Sequence, residues 1–331
     1  MMPGTKPRIA IATGDPAGIG PEIALKAALA PAVRAVCDPI LVSDPAVLAR
    51  HAEACRLEVH LRPVTRATEA DTSGAGIAVL ACPQPEAAAL PFGATEAAAG
   101  RASLAFAAAA IKAARAREVD AVVAAPQNET SIARAGIAFD GYPSFVARET
   151  GTDPASVYLM LCFGDTRIVH ATLHLGVKDA LALITRDNVG RAIRSAHAAL
   201  ERMGVVAPQI AVSGLNPHAG EGGLFGREEI ETIKPAVDAA AASGIRVTGP
   251  FGADTMLQMR GIDAFVVMLH DQGHIPAKLL APNAAAAVTI GTPILFSSVA
   301  HGSAHDIAGK GVASPAALIE AVLRLAKVKH A

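Results

Sequence analysis

The stretch Met268–Lys278 reads Met-Leu-His-Asp-Gln-Gly-His-Ile-Pro-Ala-Lys and gathers an imidazole, a carboxylate and an amine. His270 can bind a divalent cation or shuttle a proton. Asp271 can orient a ligand or take a proton, and Lys278, eight residues on, can pair with a carboxylate or transfer a proton. The competing reading is a polar cluster at a strand end whose members satisfy one another.

Two more histidines, His174 and His218, also follow apolar runs. Three neutral imidazoles that leave an open position match a catalytic zinc site and suit other divalent metals as well. No local spacing motif joins the three, and the chain has 11 histidines. A shared metal site and three unrelated residues therefore both stay open on the residues alone. His170 is the weaker candidate because it lies inside a strand; His51, His60, His197 and His330 read as surface or internally satisfied residues.

A second stretch, Val299–Gly311, carries His301, Gly302, Asp306, Gly309 and Gly311. A glycine-rich loop after a strand brings backbone N–H groups close to a bound anion. Asp306 suits a ribose diol and repels a 2′-phosphate, which favours NAD over NADP. Such loops are common, so by itself this one does not decide the cofactor.

These groups need elements to position them. Asp263–Leu269 is a short apolar run, the mark of a buried strand in an α/β sheet, and His270 and Asp271 would emerge at its carboxyl end. Gly273 would let the chain turn, and Pro276 argues against a regular helix there. Arg8–Thr13, Pro39–Ser43, Leu57–Leu61, Asp120–Ala125, Ile168–His174, Gln209–Ser213, Ile245–Thr248 and Pro293–Val299 read as further strands, whereas residues 63–93 look irregular. Between them the pattern predicts helices over 23–29, 95–117, 187–202, 228–243 and 254–260. The Gly14–Glu22 loop after the first strand is too rich in Gly and Pro to be a plain connector, yet it lacks the spacing of a dinucleotide fingerprint. Strands alternating with helices imply a mostly parallel sheet covered on both faces.

The chain of 331 residues is 52% hydrophobic, 18% charged and 3% aromatic, so its core must be aliphatic and Ala-rich. A net charge of −1 without charge blocks argues against nucleic acid or a membrane surface as partner. Cys37, Cys55, Cys82 and Cys162 lack metal or redox spacing and read as reduced thiols. With no signal-peptide pattern and no apolar run of spanning length, a soluble cytoplasmic protein is expected.

The run His301–Gly311 resembles the cofactor loop of β-decarboxylating dehydrogenases. Gly14–Glu22, Leu215–Gly220, Gly252–Thr255 and His270–Gly273 together resemble the 4-hydroxythreonine-4-phosphate dehydrogenase (PdxA) family over nearly the whole chain. The resemblance implies two α/β/α domains of the isocitrate/isopropylmalate dehydrogenase type, with mostly parallel sheets and a cleft between them. The domains expected are 1–125 plus 285–331 on the cofactor side, and 126–284 for substrate, metal and dimerisation. It also implies NAD, and a homodimer whose small-molecule site is completed by the second subunit. The divalent metal, zinc first with Mg, Mn, Co or Fe compatible, falls on His174, His218 and His270, and the substrate-site lysine on Lys278. Asp254 is expected beside the metal and substrate.

Departures from the family pattern bear on the substrate. A Gly-His-Thr segment that meets the phosphorylated substrate is here Gly141-Tyr142-Pro143-Ser144. A phosphate-side arginine falls on Phe296, an asparagine on or near Ala287, and a lysine three residues after Pro126 is Glu129. Loss of an Arg clamp and gain of an acid weaken the grip on a dianion. Tyr142, Ser144 and Phe296 are expected to form the substrate wall instead. The pattern is similar to the terephthalate cis-dihydrodiol dehydrogenase branch, which implies NAD-dependent oxidative decarboxylation of a carboxylated cis-dihydrodiol to protocatechuate. The alternative is a phosphorylated hydroxy acid such as 4-hydroxythreonine-4-phosphate. Arg167 and Lys178 stand in reserve for the distal carboxylate.

Overall fold

The computed structural model describes residues 6–70, 74, 76–281, 285–299 and 301–326; His330 lies outside them. The strands are β1 (Arg8–Ala12), β2 (Asp38–Ser43), β3 (Leu61–Val64), β4 (Ile77–Ala81), β5 (Ala121–Ala124), β6 (Tyr158–Phe163), β7 (Thr166–His170), β8 (Gln209–Ser213), β9 (Arg246–Phe251), β10 (Ala264–Val267), β11 (Ala286–Ile290) and β12 (Phe296–Val299). The helices used below are α1 (Gly20–Leu29), α2 (Ala97–Arg115), α3 (Val177–Leu183), α4 (Arg186–Arg202) and α5 (His270–Leu280).

The chain forms two compact units, residues 1–150 with 293–330 and residues 151–292. The division expected after 125 and before 285 falls elsewhere for a packing reason. Helices Glu129–Arg134 and Tyr142–Thr150 lie against α2 and stay with the first unit. Strand β11 pairs antiparallel with β6 and stays with the second.

In the first unit the strand order is β3-β4-β2-β1-β5-β12, and every pairing is parallel. Strands β1 and β5 are almost wholly buried, as continuous apolar runs in a doubly covered sheet should be. Ile77–Ala81, inside the stretch read as irregular, is a buried strand between β3 and β2. The strand expected at Leu57–Leu61 begins only at Leu61, and Pro63 fits its place at the sheet edge. The Ala-rich helix α2 spans Ala97–Arg115 and packs Phe106 and Ile111 into the core.

In the second unit the order is β11-β6-β7-β10-β8-β9. The β6 strand and the preceding helix Tyr142–Thr150 of the first unit had no counterpart in the sequence reading. β7, β10, β8 and β9 are parallel, while β6 runs antiparallel to both its neighbours. The helix read over 228–243 opens with a π-helical turn, Glu229–Ile233, before Lys234–Ala242. The helix read over 254–260 is the short Ala253–Met256.

Two local expectations are corrected. The strand read over 168–174 ends at His170. Residues 270–280 form a helix despite Pro276. The missing N–H costs one helical bond, yet Gly273 and Ala277, four apart, bury one face of the helix. Among the described residues no helix is long and apolar enough to cross a membrane.

Candidate active site

The register of two parallel strands brings the chemistry together. Val267 of β10 is paired with His170 of β7, so both strands end side by side. Beyond that point the chains stay tied: Ala171 N–H donates to the Val267 carbonyl at 2.8 Å, and the Thr172 hydroxyl to the Met268 carbonyl at 2.7 Å. His174 and His270 each follow two residues later, and their ring centroids lie 5.7 Å apart. They line a cavity of about 470 Å³ formed by residues 172–177, Ala180 and 269–271.

His270 opens α5, with its Nδ1 2.6 Å from Asp271 Oδ1. That hydrogen bond commits Nδ1 as donor and leaves Nε2 of the neutral ring as the electron-pair donor. His274, one turn on, stacks on His270 with centroids 3.8 Å apart and planes 9° off parallel. Its Nδ1 lies 3.1 Å from Nε2 of buried His170. Burial, with the nearby His274, pushes the His170 imidazole down to about 3. Burial, then the neighbouring His270, pushes His274 down to about 4. Gly273 is needed for close approach, because a Cβ there would lie 2.3 Å from His170 Nε2. Exposed Lys278 continues the His270–His274 face a further turn on, about 12 Å along the axis from His270.

His218 belongs to a different local structure. Residues His218, Ala219 and Glu221 have φ of 51°, 55° and 43°, a left-handed run that costs on the order of 1 kcal/mol per non-glycine residue. Buried Glu229 compensates, accepting the N–H groups of Leu215 and Asn216 at 2.7 Å each and the Asn216 amide at 3.0 Å. Burial raises the Glu229 carboxyl, but these hydrogen bonds outweigh it and hold the group below its ordinary value. His218 Nδ1 lies 3.2 Å from Glu221 Oε1, and the ring meets Phe225 edge-on. Asp254 is exposed beside Gly252, whose added Cβ would approach both Asp254 Oδ1 and the His218 backbone. Gln272 links the two regions: its Oε1 accepts from Met268 and Leu269, and its Nε2 donates to the Gly214 carbonyl.

Among the described residues no group of three His, Cys, Asp or Glu side chains is arranged to hold one ion. His174 and His270 form a usable pair, but within one chain His218 does not complete it. The resemblance places the third ring in a site completed by a second subunit, and His174 and His270 are the two members of the set that this chain brings together. Of the reserve residues, Arg167 donates to the carbonyls of Asp165 and Asp263 near the opposite strand ends, while Lys178 is exposed on α3.

In the first unit His301, Gly302, Asp306, Gly309 and Gly311 share one loop. Asp306 is exposed in the turn His305–Ile307. Gly309 and Gly311 adopt φ of 73° and 75°, while a Cβ on Gly302 would meet nothing within 4 Å. Among the described residues Gly302 faces open space, and the exposed Asp306 carboxylate is the group of this loop able to accept hydrogen bonds from a ribose diol. His301 Nδ1 faces the Gly302 carbonyl at 3.2 Å.

The expected substrate wall is corrected. Phe296 is 0% exposed inside β12 and packs on Tyr142, which is itself buried, with centroids 4.8 Å apart. Both belong to the apolar core with Phe145 and Ile132 because Phe296 points inward from its strand. Ser144 instead donates its hydroxyl to Asp140 at 2.8 Å. Sequence reasoning missed Glu229, Gln272 and His274 as participants. Gln272 alone had a local signal, as a glutamine in a helix first turn able to reach back to preceding N–H groups.

Comparison with known proteins agrees with this architecture. A family model described as "Pyridoxal phosphate biosynthetic protein PdxA" matches residues 35–326. A Comamonas sp protein named "1,2-dihydroxy-3,5-cyclohexadiene-1,4-dicarboxylate dehydrogenase" is 45% identical over 321 residues, 96% of each chain. The structure of a 4-hydroxythreonine-4-phosphate dehydrogenase from Burkholderia phymatum superposes with a TM-score of 0.88 at 36% identity, covering 99% of this chain and 100% of that one. A terephthalate 1,2-cis-dihydrodiol dehydrogenase from Burkholderia xenovorans LB400 is 46% identical with a TM-score of 0.75, covering 94% and 95%. With the family model spanning residues 35–326 and a relative 45% identical over 96% of its length, this chain belongs to the PdxA family.

Proposed function

We propose that this protein is an NAD-dependent, divalent-metal-assisted oxidoreductase that oxidises and decarboxylates a carboxylated cis-dihydrodiol. The terephthalate-derived diol would give protocatechuate, CO₂ and NADH. The observation that carries this reading is the His174–His270 pair at the rim of a cavity beyond adjacent parallel strands. Support for the substrate class comes from the 45% identity to the Comamonas dihydrodicarboxylate dehydrogenase.

The third imidazole, His218, would come from a second copy of the chain. Exposed apolar side chains on α5 (Ile275, Leu279, Leu280) and α3 (Val177, Leu181, Leu183) flank the His pair and suit such a contact. When bound, the ion supplies Lewis acidity toward the hydroxyl and carboxylate of the substrate. Asp271 orients His270, Lys278 pairs with a substrate carboxylate or moves a proton, and Asp254 stands beside the His218 loop. Loss of hydride from the carbinol leaves a ketone β to the carboxylate, which departs as CO₂ while its electron pair passes into the forming aromatic ring. Asp306 holds the ribose of NAD.

A mixed preparation tests both parts. His218→Ala and His270→Ala chains, each inactive alone, should regain activity and bound metal when refolded together, because one site per hybrid dimer is intact. Absence of any recovery would remove the shared site. In an NADH absorbance assay the diol should outpace 4-hydroxythreonine-4-phosphate; the reverse order would select the phosphorylated hydroxy acid.

A further inference from the structure

The Gly14–Glu22 loop has no place in the chemistry above, yet the structure uses it as the seat of the dinucleotide loop. Asp15 is 1% exposed. Among the described residues its Oδ1 accepts the Ala17 N–H at 2.9 Å, and its Oδ2 lies 2.6 Å from His305 Nε2. His305 Nδ1 is 3.4 Å from the Thr95 hydroxyl, so both ring nitrogens face partners. Two residues earlier the Ser303 carbonyl accepts the Ile19 N–H at 2.9 Å. Gly18 packs so closely on Ser303 that a Cβ there would lie 2.6 Å from the Ser303 Cβ.

The far end of the loop rests on the same foundation. Lys26 of α1 donates to the carbonyls of Gly311 and Ala313, and buried Glu22 accepts the Ala313 N–H. Phe92 lies beneath Gly309 and carries the Arg50 guanidinium 4.7 Å from its ring centroid. Arg50 and His51 both reach the Pro16 carbonyl, which closes the circuit back to Asp15.

Asp306 itself is exposed and held by none of these contacts; its position is inherited from its neighbour. Ala304 before the turn has φ of 40°, so the turn depends on its anchors rather than on an easy backbone conformation.

We propose that His305 is a positioning residue for the dinucleotide: its hydrogen bond to buried Asp15 sets the turn His305–Ile307 so that Asp306 meets the ribose diol. The proposal rests on the NAD part of the proposed function. A residue with only a packing role would affect stability without acting selectively on the cofactor.

The test is calorimetric titration of NAD into the full-length wild type and into His305→Ala, His305→Gln and His305→Asn, with KM measured for NAD and for the diol. Gln reaches as far as Nε2 and can restore the bond to Asp15, whereas Asn stops at the Nδ1 position. His305→Ala and His305→Asn should raise the NAD Kd about tenfold. His305→Gln should stay within about threefold of wild type, and the KM for the diol and the bound metal should be unchanged. If the Ala variant fails to fold, the Gln–Asn pair carries the same comparison. Equal NAD affinity across the variants overturns the proposal alone; a wild type that takes up no NAD overturns it together with the reading beneath it.

Discussion

His274 Nδ1 lies 3.1 Å from His170 Nε2, and His170 Nδ1 lies 3.4 Å from the Leu159 carbonyl. A carbonyl only accepts, so His170 must donate from Nδ1 and accept at Nε2. His274 then donates from Nδ1, and its own Nε2 keeps a lone pair. The network assigns this tautomer, and the buried environment that disfavours charge on His170 is consistent with it. A neutral, fixed column of rings thus stands behind the His174–His270 pair.

Gly273→Ala should disturb that column first. The new methyl would sit 2.3 Å from His170 Nε2. We expect a loss of about 2 kcal/mol from overpacking, read as a lower denaturation midpoint, with weaker metal uptake as α5 shifts. A midpoint equal to wild type would show that α5 and His170 accommodate the methyl without strain.

Glu229→Ala should release the His218 loop. The Leu215 and Asn216 N–H groups would lose their acceptor, costing about 2–4 kcal/mol in total. Amide hydrogen exchange at residues 215–222 should accelerate ahead of the rest of the chain. Uniform exchange rates in the variant would assign the left-handed run to other causes.

Asp306→Lys should move cofactor preference toward NADP. Exchanging a carboxylate that repels a 2′-phosphate for a cation that attracts one should raise the NADP/NAD ratio of kcat/KM at least about tenfold. An unchanged ratio would place the ribose contact elsewhere.

Stability should fall as the solution is acidified, in part through His51. Burial pushes this imidazole down to about 4 from its ordinary 6.5, and its Nδ1 has no hydrogen-bond partner among the described residues. The unfolded chain therefore takes up a proton before the folded one does. The contribution is complete above pH 6.5 and is lost as pH falls toward 4, the loss reaching about 3 kcal/mol there. His51→Gln should flatten the dependence of melting temperature on pH between those values; an identical slope would assign the acid sensitivity to other groups.

Local pattern made much of this protein legible. The apolar run ending at Val267, the Ala-rich α2 and the strand Gln209–Ser213 each announce themselves through composition and period, because burial on both faces of a parallel sheet selects continuous aliphatic segments. His174 and His270 could be singled out as residues just past such runs. Strand β4 escaped notice because Pro and Gly on either side mask a five-residue apolar core segment.

What only the tertiary structure decided is which of these residues meet. The Val267–His170 register joins positions nearly a hundred residues apart, and nothing in either segment alone specifies that pairing. The same holds for the inward face of Phe296, the left-handed run around His218 and the seat that Asp15 provides for His305. Sequence by itself determined the kinds of element and the chemical groups at their ends, since period and residue type act over a few neighbours. Contacts between distant segments are set by sheet order and by the demand that every buried polar group find a partner, and these emerge only when the whole chain is packed.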